Sequence, residues 1–330
     1  KLYRKITKPI LLITILVLGI TLVLGGEVKG ATRFLRLGGF GFQPSEFAKY
    51  ALIFHLCTLI TDKKEKIKDF KHGFAPMMLW IGLVTVLVLL QPNFSNGAMI
   101  LLIGLLMLYV GRARIAHIAL TFSVLLPVLG AYIISAPYRL KRVTDFIEML
   151  TGFVLGHGVA NGKVHYQVLQ GIIGFGNGGI LGVGPGESRQ RDFYLPESYG
   201  DFVFSIVGEE YGLVGTLFFI LLFLLIMSRG MKIAKNARDD FGRSLAAGIV
   251  CSITLYALIN AGVTLGVVPT TGLPMPFVSY GGSSILFSSI AIGVLLNISS
   301  QTDMHPRLAR TPESVRPVDP IQTPAVGKVY

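Results

Sequence analysis

The sequence predicts an all-α polytopic membrane protein, and three observations carry that prediction. The 330 residues are 52% hydrophobic and only 15% charged, with a mean hydropathy of +0.64. Apolar runs close to twenty residues recur from end to end, the length a helix needs to cross ~30 Å of hydrocarbon. The basic residues sit in short loops between these runs and fall on alternate crossings, as the positive-inside rule requires. A net charge of +12 distributed in this way serves topology. A nucleic-acid surface would need it on one soluble face, so no nucleic-acid partner is expected.

The elements follow in order. Lys1, Arg4, Lys5 and Lys8 precede the first run, 9–25, so the chain starts inside and this span runs outward. The run is too long for a signal-peptide core and no small-residue cleavage site follows it. The second run, 47–60, ends in a loop with Lys63, Lys64, Lys66, Lys68 and Lys71. The third, near 74–90, exits at the uncharged turn Gln91-Pro92-Asn93-Phe94-Ser95-Asn96-Gly97, and the fourth, near 98–110, returns to Arg112 and Arg114. The fifth, 115–135, leads to a large outer loop, 136–200. The sixth, 202–227, comes back to Arg229, Lys232, Lys235, Arg238 and Arg243. The seventh, 244–265, reaches a Gly/Pro-rich outer loop, and the eighth, 277–298, returns to a tail with Arg307, Arg310 and Arg316. Alternation thus predicts eight transmembrane helices with both ends of the chain cytoplasmic. Residues 1–300 form one transmembrane domain, and 301–330, rich in Pro and charge, a disordered tail. Cys57 and Cys251 lie inside apolar runs and read as small core residues, outside any disulfide framework.

The outer loops hold the chemistry. Where the large loop meets the sixth run, Glu197, Asp201, Glu209 and Glu210 follow one another. A charge near the bilayer centre costs roughly 2.5–3.5 kcal/mol on insertion scales, so such acids mark a pathway, a partner or a site. Pro196 favours an extended entry and Asp201 stands where a helix would begin, either as a helix cap or as a functional acid at the water boundary. On an ideal helix Glu209 lies nearer the face of Asp201 and Glu210 points away, so the two should have different partners. Gly174, Gly176, Gly178, Gly179, Gly182, Gly184 and Gly186 crowd together before Glu187 and Ser188. Their bare N–H groups suit phosphate or sugar oxygens, with a flexible loop as the plainer alternative. The spacing matches neither a P-loop nor a dinucleotide fingerprint. Apolar stretches at 147–155 and 166–181 suggest short helices at the membrane surface.

Three further stretches complete the outer face. Pro44 and Ser45 start a helix with Glu46 in its first turn and Lys49 three residues on, sharing that face. From Pro269 to Ser284, three prolines and three glycines forbid a regular helix, yet the segment runs into a span. Irregular backbone at that depth is tolerated where protein buries it or where it lines a cavity. Tyr138, Arg139, Lys141 and Arg142 place cations outside, against the usual rule; they either dock an anionic head group or anchor the chain at the interface. Carboxylates, cations and two Gly-rich loops beside the bilayer suit a lipid-linked anionic substrate.

These motifs resemble the SEDS family of bacterial shape, elongation, division and sporulation proteins, which includes FtsW, RodA and SpoVE. The resemblance is carried by Gln43-Pro44-Ser45-Glu46 with Lys49, Tyr166-Gln167 with Gln170, Leu195-Pro196-Glu197 with Asp201-Phe202, Gly208-Glu209-Glu210 with Gly212, and Pro269 through Ser284. It runs in order from Gly30 to Ile298, and Pro137-Tyr138-Arg139 leans to FtsW-like members. The resemblance implies a peptidoglycan glycosyltransferase that polymerises lipid II into glycan strands at the outer face of the bacterial cytoplasmic membrane. A class B penicillin-binding protein would cross-link the product, with other divisome or elongasome membrane proteins as partners. Asp201 matches the essential acid, and Glu46 and Lys49 match residues of the functional cavity. Substrate contacts are expected from Glu46, Lys49, Arg139, Arg142, Gln167, Gln170, Ser188, Glu197, Pro269 and Ser279. Glu209 and Glu210 are expected to be structural or to shape the cavity. The family usually has ten spans, so the resemblance also implies that an N-terminal hairpin is missing. The chain departs from the family at Asn93, Phe94 and Ser95, where Asp-Leu-Gly is usual, and at Phe34, where Trp is usual.

Glycan transfer needs a base for the attacking hydroxyl and positive charge for the leaving diphosphate. Asp201 is the expected base, with Lys49, Arg139 and Arg142 as counter-charge. A divalent cation (Mg or Mn) on carboxylates is the alternative, since oxygen ligands leave little sequence signature. A lipid II flippase also fits buried charge and broken helices, but would want charge through the midplane. A non-catalytic scaffold for the penicillin-binding protein explains the spans but not the acids.

Overall fold

The computed structural model describes residues 2–28, 31–37, 40–154, 166–196 and 198–302. The expected tail, from residue 303 on, lies outside the described residues, as do Glu197 and the stretch 155–165. The chain opens with α1 (Leu2–Leu24), followed by β1 (Gly26–Val28), β2 (Ala31–Leu37) and β3 (Phe40–Phe42). These strands form an antiparallel sheet in the order β1-β2-β3, with Leu35 opposite Phe42 and Leu37 opposite Phe40. An all-α reading missed this sheet. Its strands are as short as three residues, too short for a visible alternation. The one local signal was Gly38-Gly39 between two paired residues, a tight-hairpin sequence.

Helices then coincide with the remaining apolar runs: α2 (Pro44–Lys63), α3 (Ala75–Leu90), α4 (Phe94–Val110), α5 (Ile115–Ile134), α6 (Pro137–Val154), α7 (Tyr166–Gly178), α8 (Val203–Lys235), α9 (Asp240–Thr264) and α10 (Gly282–Ser300). Pro44 starts α2, where its missing N–H costs nothing. Among the described residues, six segments are long and apolar enough to cross a membrane: α1 from Arg4, Phe70–Leu90 ending in α3, α5, α8, α9 and α10. The chain is a multi-pass membrane protein. Of the other two expected spans, α4 has only 17 residues, and α2 carries Glu46, Lys49 and His55 within its 20.

At the centre lies α9, packed against α2, α4 and α8. Its small residues Ala246, Ala247, Gly248, Ala257 and Ala261 are buried, which lets neighbouring helices approach closely. At Gly248 a Cβ would sit 2.5 Å from Met107 Sδ and 2.8 Å from Ile53 Cγ2. By contrast α5 has no buried residue.

Two expected spans differ in outline. The eighth begins at Gly282 instead of near Phe277, since Pro274, Pro276 and a left-handed Phe277 (φ 66°) keep the preceding segment out of a helix. The sixth is longer, reaching Lys235, and it breaks at Gly212 (φ 63°, ψ −161°). Into that break fits the glycine-rich loop 179–184. Val183 and Gly184 N–H donate to the carbonyls of Glu209 and Glu210 (3.0 and 3.1 Å), and Leu213 and Val214 N–H donate to Gly179 and Ile180 (2.9 and 3.2 Å). A Cβ at Gly182 would lie 2.2 Å from Glu210 O, and one at Gly212 2.4 Å from Gly182 N. The glycines therefore serve a backbone splice between loop and helix. The N–H groups of Val183 and Gly184 are spent on α8, so they are not free for the anion that the glycine cluster was expected to bind.

Candidate active site

A cavity of about 720 Å³ is bounded by the start of α4, the junction of α5 with α6, the last turns of α9 and the segment 268–273. Its wall is mostly apolar, including Met99, Leu102, Ile133, Val143 and Ile259, and it carries Asn93, Ser95, Arg139, Arg142, Thr270 and Thr271. Arg139 stands in the first turn of α6, where the helix dipole disfavours a cation. The end of α5 compensates: Arg139 donates to Tyr132 O (2.9 Å) and lies 3.8 Å over the Tyr132 ring. Arg142, one turn on, donates to Thr270 O (3.5 Å). Ser95 Oγ donates to Thr271 O (2.5 Å), tying the start of α4 to the same segment.

Asp201 lies in the turn before α8, half-buried, and the cap position itself belongs to Phe202, which makes no side-chain cap bond. The backbone around Asp201 is laced to the cavity segment. Asn260 of α9, 1% exposed, donates its Nδ2 to both Asp201 O (2.8 Å) and Leu273 O (2.7 Å). Both acceptors are carbonyls, which fixes the orientation of the amide. Ser279 Oγ donates to Gly200 O (2.7 Å) and accepts from Met275 N (2.7 Å), while Tyr280 N–H donates to Tyr199 O (2.8 Å). The carboxylate rests against exposed Gly272 (φ 69°), where a Cβ would come within 3.1 Å of Asp201 Oδ2. Its neighbours Thr271 and Leu273 line the cavity. Asp201 therefore stands immediately behind the cavity wall, with a glycine window beside its carboxylate.

The family model for FtsW/RodA/SpoVE cell cycle proteins matches residues 1–304. The chain belongs to the FtsW/RodA/SpoVE family. Among its relatives is the probable peptidoglycan glycosyltransferase FtsW of Geobacter metallireducens, 38% identical over 306 residues that cover 91% of this chain and 78% of that one. Stage V sporulation protein E of Bacillus subtilis is 36% identical over 299 residues, covering 90% and 80%. A solved peptidoglycan synthase complex, described as coordinating polymerization and crosslinking, contains a chain that superposes with a TM-score of 0.73 at 25% identity, covering 92% of this chain and 83% of that one. The rod shape determining protein RodA of Thermus thermophilus shares the fold, with a TM-score of 0.64 at 23% identity, covering 92% and 80%.

Not every residue expected to meet substrate faces this FtsW/RodA/SpoVE cavity. Arg139, Arg142 and Pro269 line it. Glu46 and Lys49 do not: they form an ion pair of 2.9 Å, 0% and 2% exposed, with Lys49 Nζ 3.8 Å over the Tyr256 ring. Tyr256 in turn donates to Asn96 Oδ1 (2.8 Å). The pair, through Tyr256 and Asn96, ties α2 to α9 and α4 and stands apart from the cavity wall, with Glu46 Oε1 left without a hydrogen-bond partner. Ser188 is fully buried, donating to Glu209 Oε2 and accepting from Arg191 N–H (3.1 Å), and so is structural. Ser279 is likewise occupied in the Asp201 clasp. Gln167 Nε2 donates to Pro196 O (3.2 Å), steadying the approach to Asp201, and Gln170 is half-buried on the same helix.

Glu209 and Glu210 do have different partners. Glu209, 1% exposed, accepts from Ser188, Gln190 N–H (3.0 Å) and Asn177 Nδ2 (3.4 Å). Glu210 pairs with Arg191 (3.0 Å), which also reaches Asp192 (2.7 Å) and Gly186 O (2.7 Å). The hydrogen bonds between Arg191 and Asp192 raise the guanidinium and lower the carboxyl from their ordinary values. Sequence reasoning overlooked Asn260, Asn96 and Tyr256. An asparagine inside an apolar run was the available signal, since a polar group there needs partners. As for a metal, no group of three His, Cys, Asp or Glu side chains is assembled among the described residues. A cation here would have Asp201 as its carboxylate and would need substrate oxygens for the rest.

Proposed function

We infer that the chain is a peptidoglycan glycosyltransferase, and propose that it polymerises lipid II at the outer face of the cytoplasmic membrane with Asp201 as the base. The observation that carries this reading is the clasped Asp201 behind the wall of a mostly apolar cavity that presents two arginines. An apolar chamber suits a polyprenyl carrier, and guanidinium groups suit its diphosphate. The 4-hydroxyl of lipid II attacks the anomeric carbon of the glycan held on undecaprenyl diphosphate. Asp201 takes the hydroxyl proton, the new glycosidic C–O bond forms, and the bond to the diphosphate breaks with its electron pair leaving on phosphate oxygen. Arg139 and Arg142 neutralise that group. Lys49, spent on Glu46, stabilises the scaffold instead. A divalent cation held by Asp201 and phosphate oxygens would add further positive charge.

The finer topology is part of this proposal: eight spans, with both ends of the chain and the basic loops cytoplasmic. So is the partner, a class B penicillin-binding protein, supported by the likeness to a synthase complex that joins polymerization to crosslinking. Incubating the purified protein and its cognate penicillin-binding protein with labelled lipid II, with and without chelator, tests the reading. Long glycan chains support it. Lipid II that crosses liposomes without being polymerised would replace it with a flippase.

A further inference from the structure

The exposed apolar tip of the glycine-rich loop is unused by the reaction. Ile180 is 68% exposed, Leu181 81% and Val183 46%. From Gly171 to Gly186 no residue carries a charge. Such a tip would be an aggregation liability in water, so its position relative to the bilayer matters.

The geometry of α8 sets that position. Below the break at Gly212, the apolar run 213–227 ends just before Arg229 and rises roughly 22 Å at 1.5 Å per residue. The hydrocarbon core is ~30 Å thick, so the run falls about 8 Å short, and any tilt lengthens the deficit. The outer hydrocarbon boundary therefore lies above Gly212, at the level where the loop is spliced into the helix. There the lipid-facing surface of α8, with Leu213, Val214, Leu217 and Phe218 all more than half exposed, continues into the loop through the bonds of Leu213 to Gly179 and Val214 to Ile180. Hydrocarbon tolerates irregular backbone only when its polar groups are paired within the protein. The splice does this at the base of the loop, where besides the four bonds to α8, Gly182 N–H donates to Gly178 O (2.8 Å) and Gly179 N–H to Gly176 O (3.3 Å); at the tip it is the side chains of Ile180 and Leu181 that reach into lipid, their N–H groups staying at the polar interface.

We propose that Ile180 and Leu181 insert into the outer-leaflet hydrocarbon, making residues 179–184 a re-entrant lipid contact. The contact anchors the half of α8 that follows Asp201, and so holds the acid at a set height above the lipid tails. The inference rests on membrane topology and stands apart from the reaction assigned above.

Spin labels at Leu181→Cys, Phe218→Cys and Glu187→Cys, each in the full chain carrying Cys57→Ala and Cys251→Ala, test it in phosphatidylcholine/phosphatidylglycerol vesicles. Oxygen, which concentrates in hydrocarbon, should relax the label at 181 well above the one at 187 and below the deeper one at 218. A water-soluble nickel chelate should reach 181 at least about tenfold less than 187, because polar complexes are excluded from hydrocarbon. A label at 181 that behaves like 187, or one shielded from both reagents by protein, would overturn the proposal. Glycan synthesis is not measured, so a failed polymerase assignment leaves this result unaffected.

Discussion

At the scale of single residues, the account turns on how Asp201 is held. Asn260 spends both amide hydrogens on carbonyls that flank the cavity segment and the acid. It is a positioning residue. Misplacing a reacting group by about 1 Å can cost 10²-fold, so Asn260→Ala should lower kcat by roughly 10–10²-fold with KM near the parent value. An unchanged kcat in a folded variant would remove Asn260 from the account. The Glu46–Lys49 pair predicts a different pattern. Breaking a buried ion pair costs about 3–5 kcal/mol because the partner charge is stranded, whereas replacing both members is far milder. Lys49→Met should therefore sharply lower thermal stability, and Lys49→Met with Glu46→Gln should recover most of it. If Lys49 bound substrate instead, the single variant would stay stable and lose turnover. The sequence made these residue types legible, and with them the chemistry of acid and cation. It left partners hidden, because Lys49 and Ser188 meet Tyr256 and Glu209, residues distant in the chain.

Among the elements, the splice of loop 179–184 into α8 is the clearest case of a motif whose meaning depended on a distant break. The glycines were visible, yet nothing local announced that α8 would open at Gly212 to accept them. Gly182 has φ 84°, and a methyl group added there would meet backbone at 2.2 Å, while Gly176 has open space around it. Gly182→Ala should thus lower the melting temperature markedly. Gly176→Ala, within α7, should be neutral or stabilising by up to about 1 kcal/mol. Equal melting temperatures for the two variants would contradict the splice. The small sheet and the late start of α10 were hidden for local reasons: its two outer strands have three residues each and carry no period, and a proline-rich entry looks apolar while refusing a helix.

For the molecule as a whole, composition and loop charge were enough to read a polytopic helical membrane protein, because the bilayer imposes length and polarity on every span. The same physics says little about which polar groups turn inward, and so the cavity between α4, α6 and α9 had to come from packing. In the proposed function, its arginines and the nearby acid join the fold to glycan synthesis. A positioned base typically contributes ~10²–10⁴-fold. The most direct measurement is polymerisation of labelled lipid II by the purified protein with its penicillin-binding protein, comparing the parent with Asp201→Asn at matched thermal stability. The account predicts a loss of at least about 10²-fold in chain synthesis; near-normal turnover by the variant would contradict it.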